Sequence, residues 1–192
     1  RYRCVALGAS TGGPPALQQV LAALPADFPA AVVIAQHMPE GFTRLFADRL
    51  DRLVPLRVRE ARDGDPLAPG QVLLAPGGMN LLLQRERGAR IVARVEPPLA
   101  ADRYVPSVDR LLVSAADACA GSVLAVVLTG MGDDGAAGIG AVRDAGGLTV
   151  AEAEETCVVY GMPREAVRSG AVQRVLPLPE IGAAILHEVL PG

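Results

Sequence analysis

The chain has 192 residues, enough for one domain with its own core, and while 51% of them are apolar only 3% are aromatic. That core must therefore be built from Val, Leu, Ile and Ala, as buried parallel strands and their helices are, which favours α/β over a β-sandwich. A net charge of −3 with scattered arginines lacks the basic excess of a nucleic-acid binder.

The run Cys4-Val-Ala-Leu7 stops at glycine, and Pro14-Pro15 open a helical pattern through Leu24. Ser10 of Gly8-Ala-Ser-Thr-Gly-Gly13 thus lies on a strand-to-helix turn. A second run, Ala30-Ala-Val-Val-Ile-Ala35, delivers His37 to a turn closed by Pro39. Apolar residues at Phe42, Leu45, Phe46 and Leu50 mark one helical face over 42–53. From Val54 to Pro98 the pattern changes to Leu56–Glu60, Gln71–Ala75, Asn80–Gln84 and Arg90–Val95, separated by Asp-Gly, Pro-Gly, Gly-Gly and Arg-Gly turns. This predicts an antiparallel meander inserted into the α/β frame.

Ser107 is placed to cap a helix running to about Cys119, with Asp109 favourable at its positive end, and Gly121 stops it. Leu124-Ala-Val-Val-Leu128, the most strand-like run, empties into Thr129-Gly-Met-Gly-Asp-Asp-Gly135, after which a helix reaches Ala145. A short strand over Leu148–Ala151, a helix from Pro163 to near Gly170 and an amphipathic helix over Ile181–Leu190 complete the reading. The expected architecture is one three-layer α/β/α domain over 1–192, with a mainly parallel sheet and a small antiparallel β insertion at about 54–98. The first residue is Arg1 rather than Met, which reads as a piece excised from a longer protein.

In an open parallel sheet, ligands bind beyond the carboxyl ends of the strands, where Ser10 and His37 are both expected. A serine hydroxyl becomes a nucleophile when an imidazole takes its proton, and the imidazole works best when a carboxylate fixes its tautomer. Asp133 and Asp134 follow a third strand on the same rim, and spacing leaves the choice between them open. The surrounding glycines let backbone N–H groups approach a developing oxyanion.

Blander readings compete at each position. Ser10 before Gly-Gly-Pro is ordinary capping chemistry, His37 can be a hydrogen-bonded rim residue, and Asp134 before Gly135 can cap the next helix. His187, the other of two histidines, lies inside the last amphipathic helix and reads as structural or solvated. Cys4, Cys119 and Cys157 are widely separated, with no C-x-x-C pair; they suggest neither a disulfide framework nor a zinc knuckle and fit a reduced cytoplasmic compartment. The glycine turn departs from G-x-G-x-x-G, and no acidic residue ends the second strand to hold a ribose, so a dinucleotide site is disfavoured. Two distant histidines offer no metal ligand set. No apolar run approaches the roughly 18 to 20 residues a membrane span needs.

Five segments taken in order, Gly8-Ala-Ser-Thr-Gly-Gly13, Gln36-His-Met-Pro39 with Gly41-Phe-Thr43, Pro106-Ser-Val-Asp109, Leu128-Thr-Gly-Met-Gly132 with Asp134-Gly135, and Gly161-Met-Pro-Arg-Glu-Ala166, resemble the catalytic domain of the CheB chemotaxis methylesterases. The resemblance implies a cytoplasmic protein-glutamate methylesterase that hydrolyses glutamate methyl esters on the helical signalling region of methyl-accepting chemoreceptors. It implies release of methanol, deamidation of receptor glutamines by many members, and no metal or cofactor. By position it makes Ser10 the nucleophile, His37 the base and then acid, and Asp134 the carboxylate that orients His37. It places the Met131 amide at the oxyanion and Thr11 beside the nucleophile.

The family often has histidine where Asn80 stands and His-Arg where Tyr104-Val105 stand, departures expected to reshape the substrate cleft. It usually carries an N-terminal phosphorylatable receiver domain that this chain does not include; either the receiver was removed or the esterase stands alone. A related serine hydrolase of another signalling pathway, or a domain that only docks on receptor helices, are the alternative readings.

Overall fold

The computed structural model describes residues 2–190. Its strands are β1 (Cys4–Ala9), β2 (Ala31–Gln36), β3 (Arg57–Glu60), β4 (Gln71–Leu74), β5 (Asn80–Arg85), β6 (Ile91–Glu96), β7 (Val123–Val127), β8 (Leu148–Glu152) and β9 (Arg174–Leu176). Its helices are α1 (Gly13–Ala22), α2 (Phe42–Leu53), α3 (Val108–Cys119), α4 (Ala136–Asp144), α5 (Met162–Arg168) and α6 (Leu178–Val189). Seven strands form one parallel sheet in the order β3-β4-β2-β1-β7-β8-β9, and β5 and β6 pair antiparallel beside it.

The central strands are buried on both faces, which is why they read as unbroken apolar runs instead of alternating ones. Because successive side chains point to opposite faces, Val5, Leu7 and Ala9 of β1 join α1, α2 and α6 in one core, and Cys4 and Ala6 join α3, α4, α5 and the β5–β6 hairpin in the other. This is the expected three-layer arrangement. The helix starts follow local chemistry: Ser107 has extended backbone and its hydroxyl accepts from the Arg110 amide at the head of α3, and prolines occupy the first turns of α1, α5 and α6.

The expected four-stranded meander over 54–98 is corrected. Only β5 and β6 are antiparallel; β3 and β4 lie parallel at the sheet edge, Val58 opposite Val72 and Val32 also opposite Val72. Alternation and turn residues mark where a strand runs but not which neighbour it takes, and the apolar faces of Val72 and Leu74 are satisfied by joining the α1–α2 core. The three-residue strand β9 is too short to leave a pattern in the sequence.

Candidate active site

Three adjacent strands of the parallel sheet end at the same rim. β1 releases the chain into Ser10, whose amide donates to the Thr129 carbonyl just beyond β7 (3.0 Å), and β2 releases it into His37, whose amide donates to the Ala9 carbonyl (3.0 Å). The loop after β7 carries Met131, Asp133 and Asp134. Ser10 does not cap α1: Gly12, with φ of +82°, is the cap residue and no side chain caps there.

The two aspartates have different surroundings. His37 Nε2 lies 2.6 Å from Asp134 Oδ2, and the Asp134 side chain is 1% exposed. Asp134 Oδ2 also accepts from the Val108 amide (2.7 Å), and Oδ1 accepts from the Asp109 amide (2.8 Å), so the carboxylate rests on the positive end of α3. Asp134 is therefore no cap for α4, whose cap residue is Gly135. Asp133, with a side chain 47% exposed, turns outward and accepts from Tyr104 Oη (3.1 Å) and Arg103 Nη1 (3.3 Å). With Nε2 engaged by the carboxylate, Nδ1 is the ring nitrogen left to take a proton.

Ser10 is half-buried, and its hydroxyl has no hydrogen-bond partner among the described residues. Its backbone is held from several sides. Gln36 Nε2 donates to the Ser10 carbonyl (2.8 Å) and to the His37 carbonyl (3.2 Å), tying both turns together. Gln36 Oε1 is buried without a partner among the described residues and lies against Gly13, whose amide donates instead to the Ser10 carbonyl. Gly130 is required by contact: a Cβ there would stand 2.8 Å from Ser10 Cβ. The Thr11 and Met131 amides donate to no acceptor among the described residues, so both are available to an incoming oxygen. The Thr11 side chain is exposed and its carbonyl accepts from Thr129 Oγ1 (2.9 Å).

Three residues support the site in ways that spacing does not show: Asn80 and Tyr104, which enter the sequence reading only as departures from the family pattern, and Glu152, which that reading overlooks. Glu152 ends β8 fully buried and accepts from the Thr129 amide (2.7 Å), anchoring the loop that follows β7. The signal was present, a carboxylate ending an apolar strand, as with Asp133 and Asp134. Asn80 is fully buried; its Oδ1 accepts from the Ser107 amide (2.9 Å) and its Nδ2 donates to Asp102 (2.8 Å). Asp102 also accepts from the Leu99 amide and Arg110, and these donors hold its carboxyl below the usual range. Tyr104 stacks on His37, with ring centroids 4.9 Å apart and planes 6° from parallel.

Asp109 accepts from the Gly135 (3.0 Å) and Gly138 (2.7 Å) amides, and burial, aided by the charge of Asp134, raises its carboxyl above the ordinary value. The remaining candidates lie apart from the rim chemistry. His187 is 86% exposed on α6. Cys4 and Cys119 are free thiols that face each other in the core, and burial with Glu152 alongside pushes the Cys157 thiol up to about 12. Beside the Met131 loop, a groove of about 480 Å³ runs between Tyr104, Val159, Tyr160 and Arg164. Among the described residues no helix is long and apolar enough to cross a membrane.

A family model described as CheB methylesterase matches residues 5–185. Protein-glutamate methylesterase/protein-glutamine glutaminase 3 of Geobacter sulfurreducens is 54% identical over 187 residues, covering 97% of this chain and 50% of that protein. The corresponding protein 1 of Myxococcus xanthus is 55% identical over 181 residues, covering 94% and 52%. The crystal structure of the Thermotoga maritima CheB methylesterase catalytic domain matches with a TM-score of 0.94 at 40% identity, over 98% of this chain and 100% of that one. The chain spans about half the length of the curated relatives it matches.

Proposed function

The chain belongs to the CheB methylesterase family, and from that premise we propose that it is a protein-glutamate methylesterase with Ser10 as nucleophile, His37 as base and then acid, and Asp134 as the carboxylate that orients His37. Its substrates in this reading are glutamate methyl esters on the cytoplasmic helices of methyl-accepting chemoreceptors, and receptor glutamines in a parallel deamidation. The observation that carries the reading is the 2.6 Å contact between His37 and a buried carboxylate at the strand end beside Ser10. Cytoplasmic location, and control by a phosphorylatable receiver domain within a longer protein, belong to the same proposal.

The chemistry is two-step acyl transfer. Ser10 Oγ attacks the ester carbonyl carbon as His37 Nδ1 takes its proton, and the carbonyl oxygen becomes an oxyanion facing the Met131 amide. Asp134 stabilises the imidazolium so formed. The tetrahedral species collapses, its carbon–methoxy bond breaks, and the proton on His37 leaves with the methoxy oxygen as methanol. Water, deprotonated by His37, then attacks the Ser10 acyl ester, which releases glutamate and returns the proton to Ser10.

The test is methanol release from methylated chemoreceptors by this chain and by Ser10→Ala and His37→Ala. The expected result is release that collapses in both variants, by a factor on the order of 10⁴ or more. Absence of release by the folded parent across several receptors overturns the reading.

A further inference from the structure

We propose that Tyr104 is a positioning residue for His37: its ring sets the plane of the imidazole, and Asp133 is the tether that holds Tyr104 in place. The inference rests on His37 acting as the base of this site and concerns what sets the orientation of its ring.

The bond from Nε2 to Asp134 fixes one point of the ring. The ring's covalent anchor is Cγ, and Nε2 lies near the Cβ–Cγ axis, so rotation about that axis swings Nδ1 while disturbing the bond to Asp134 much less. A second aromatic ring 4.9 Å away and within 6° of parallel removes this freedom, because rotation drives the imidazole edge into its neighbour's face. The same face favours the imidazolium that forms during the reaction.

Tyr104 is itself constrained. Its hydroxyl donates to Asp133 Oδ1 (3.1 Å), and Arg103, whose guanidinium carbon lies 5.4 Å from the Tyr104 centroid, reaches Asp133 Oδ2 (3.3 Å). Gly132, at φ of +97°, leaves the space the hydroxyl enters; a Cβ there would collide with it. Adjacent residues of one loop thus hold His37 twice, Asp134 through Nε2 and Asp133 through the stacked ring. That loop also carries the Met131 amide, so the residues that hold the base and the oxyanion donor share one loop. A misaligned base in an otherwise intact site costs about 10- to 100-fold in rate.

The test uses two independent readouts on the intact chain. The chain has two histidines, and His187 is 86% exposed, so ¹⁵N-histidine NMR reports His37 directly with His187 as an internal control. Tyr104→Ala, and Tyr104→Leu as a second variant that refills the space, are expected to remove the ring-current shift of the His37 ring protons and, with the Asp134 bond and its tautomer kept, to broaden the His37 ring signals as the imidazole samples more than one orientation. Both are expected to lower kcat for methanol release by about 10- to 100-fold with KM changed little. Tyr104→Phe, which keeps the ring and loses only the tether, is expected to restore part of the shift and of kcat and to fall short of the parent by the tether's share; full recovery would remove Asp133 from the proposal.

His37 signals that lose only the ring-current shift, with the linewidths of the parent, in both Ala and Leu variants overturn the proposal, and so does a defect confined to KM, which describes a cleft wall only. If the parent releases no methanol while the His37 signals respond as described, the positioning stands and the esterase reading falls.

Discussion

Asp134 and Asp109 exchange helix starts: Asp134, just before α4, accepts from the first amides of α3, and Asp109, in the first turn of α3, accepts from the Gly135 and Gly138 amides of α4. Each carboxylate satisfies orphan donors of the other's helix. The two N-termini are thereby locked at the rim where His37 meets Asp134.

Asp109→Ala leaves the α4 amides without their acceptor and is expected to lower stability by about 1 to 2 kcal/mol. Asp109→Asn keeps an oxygen acceptor and removes the charge. The folded carboxyl sits above its unfolded value, so the native state binds the proton more readily and charging Asp109 costs stability. Wild type compared with Asp109→Asn is therefore expected to gain stability as pH falls through the raised folded value towards the unfolded one near ~3.9. Urea midpoints measured from pH 7 to 3.5 check this, and a wild type that loses ground to the variant over that range contradicts it.

Asp134 and Asp133 are expected to separate in kinetics. Asp134→Asn replaces an acceptor that faces one imidazole N–H and two backbone amides, and a loss on the order of 10⁴ in kcat is expected. Asp133→Ala unties Tyr104 without touching the His37–Asp134 bond, so a far smaller loss is expected. Equal losses in the methanol assay would show that the two carboxylates act together.

Asp102 predicts an acid-sensitive strap ahead of Tyr104. Its folded carboxyl lies below the unfolded value, so its contribution is fully present above ~3.9 and is lost as pH falls through the folded value. The stability difference between wild type and Asp102→Asn, followed by urea unfolding from pH 5 to 2.5, is expected to shrink towards the acid end. A difference that stays constant would mean that the charge on Asp102 holds nothing.

Cys157 is expected to resist alkylation in the native protein. With its thiol pushed up to about 12, almost no thiolate exists at pH 8, and the thiolate is the reactive form. Iodoacetamide followed by peptide mass analysis is expected to label Cys157 slowly in the folded chain and readily in urea. Fast native labelling contradicts this account.

Local chemistry wrote several features openly. The apolar runs of β1, β2 and β7 are strands buried on both faces; the apolar spacing marks α2 over 42–53, although its buried face is Thr43, Phe46, Ala47 and Leu50 while the expected Phe42 and Leu45 are exposed; and Ser107 caps α3 because its hydroxyl is within reach of the Arg110 amide whatever the rest of the chain does. These are interactions among residues close in sequence, so the sequence carries them whole.

Other features depend on partners distant in the chain. β3 and β4 have the alternation of a hairpin but pair in parallel, because the core over α1 and α2 takes up the faces of Val72 and Leu74. Asp133 and Asp134 are equivalent in sequence, and a single step of backbone direction turns one towards His37 and α3 and the other towards Tyr104 and solvent. Asn80, Glu152 and the stack of Tyr104 on His37 are equally silent in one dimension. By itself the sequence determined which segments become strands and helices, and so which residues reach the carboxyl rim. Which of those residues touch was decided only by tertiary structure, since contact between side chains far apart in the chain depends on how the whole sheet and its helices pack.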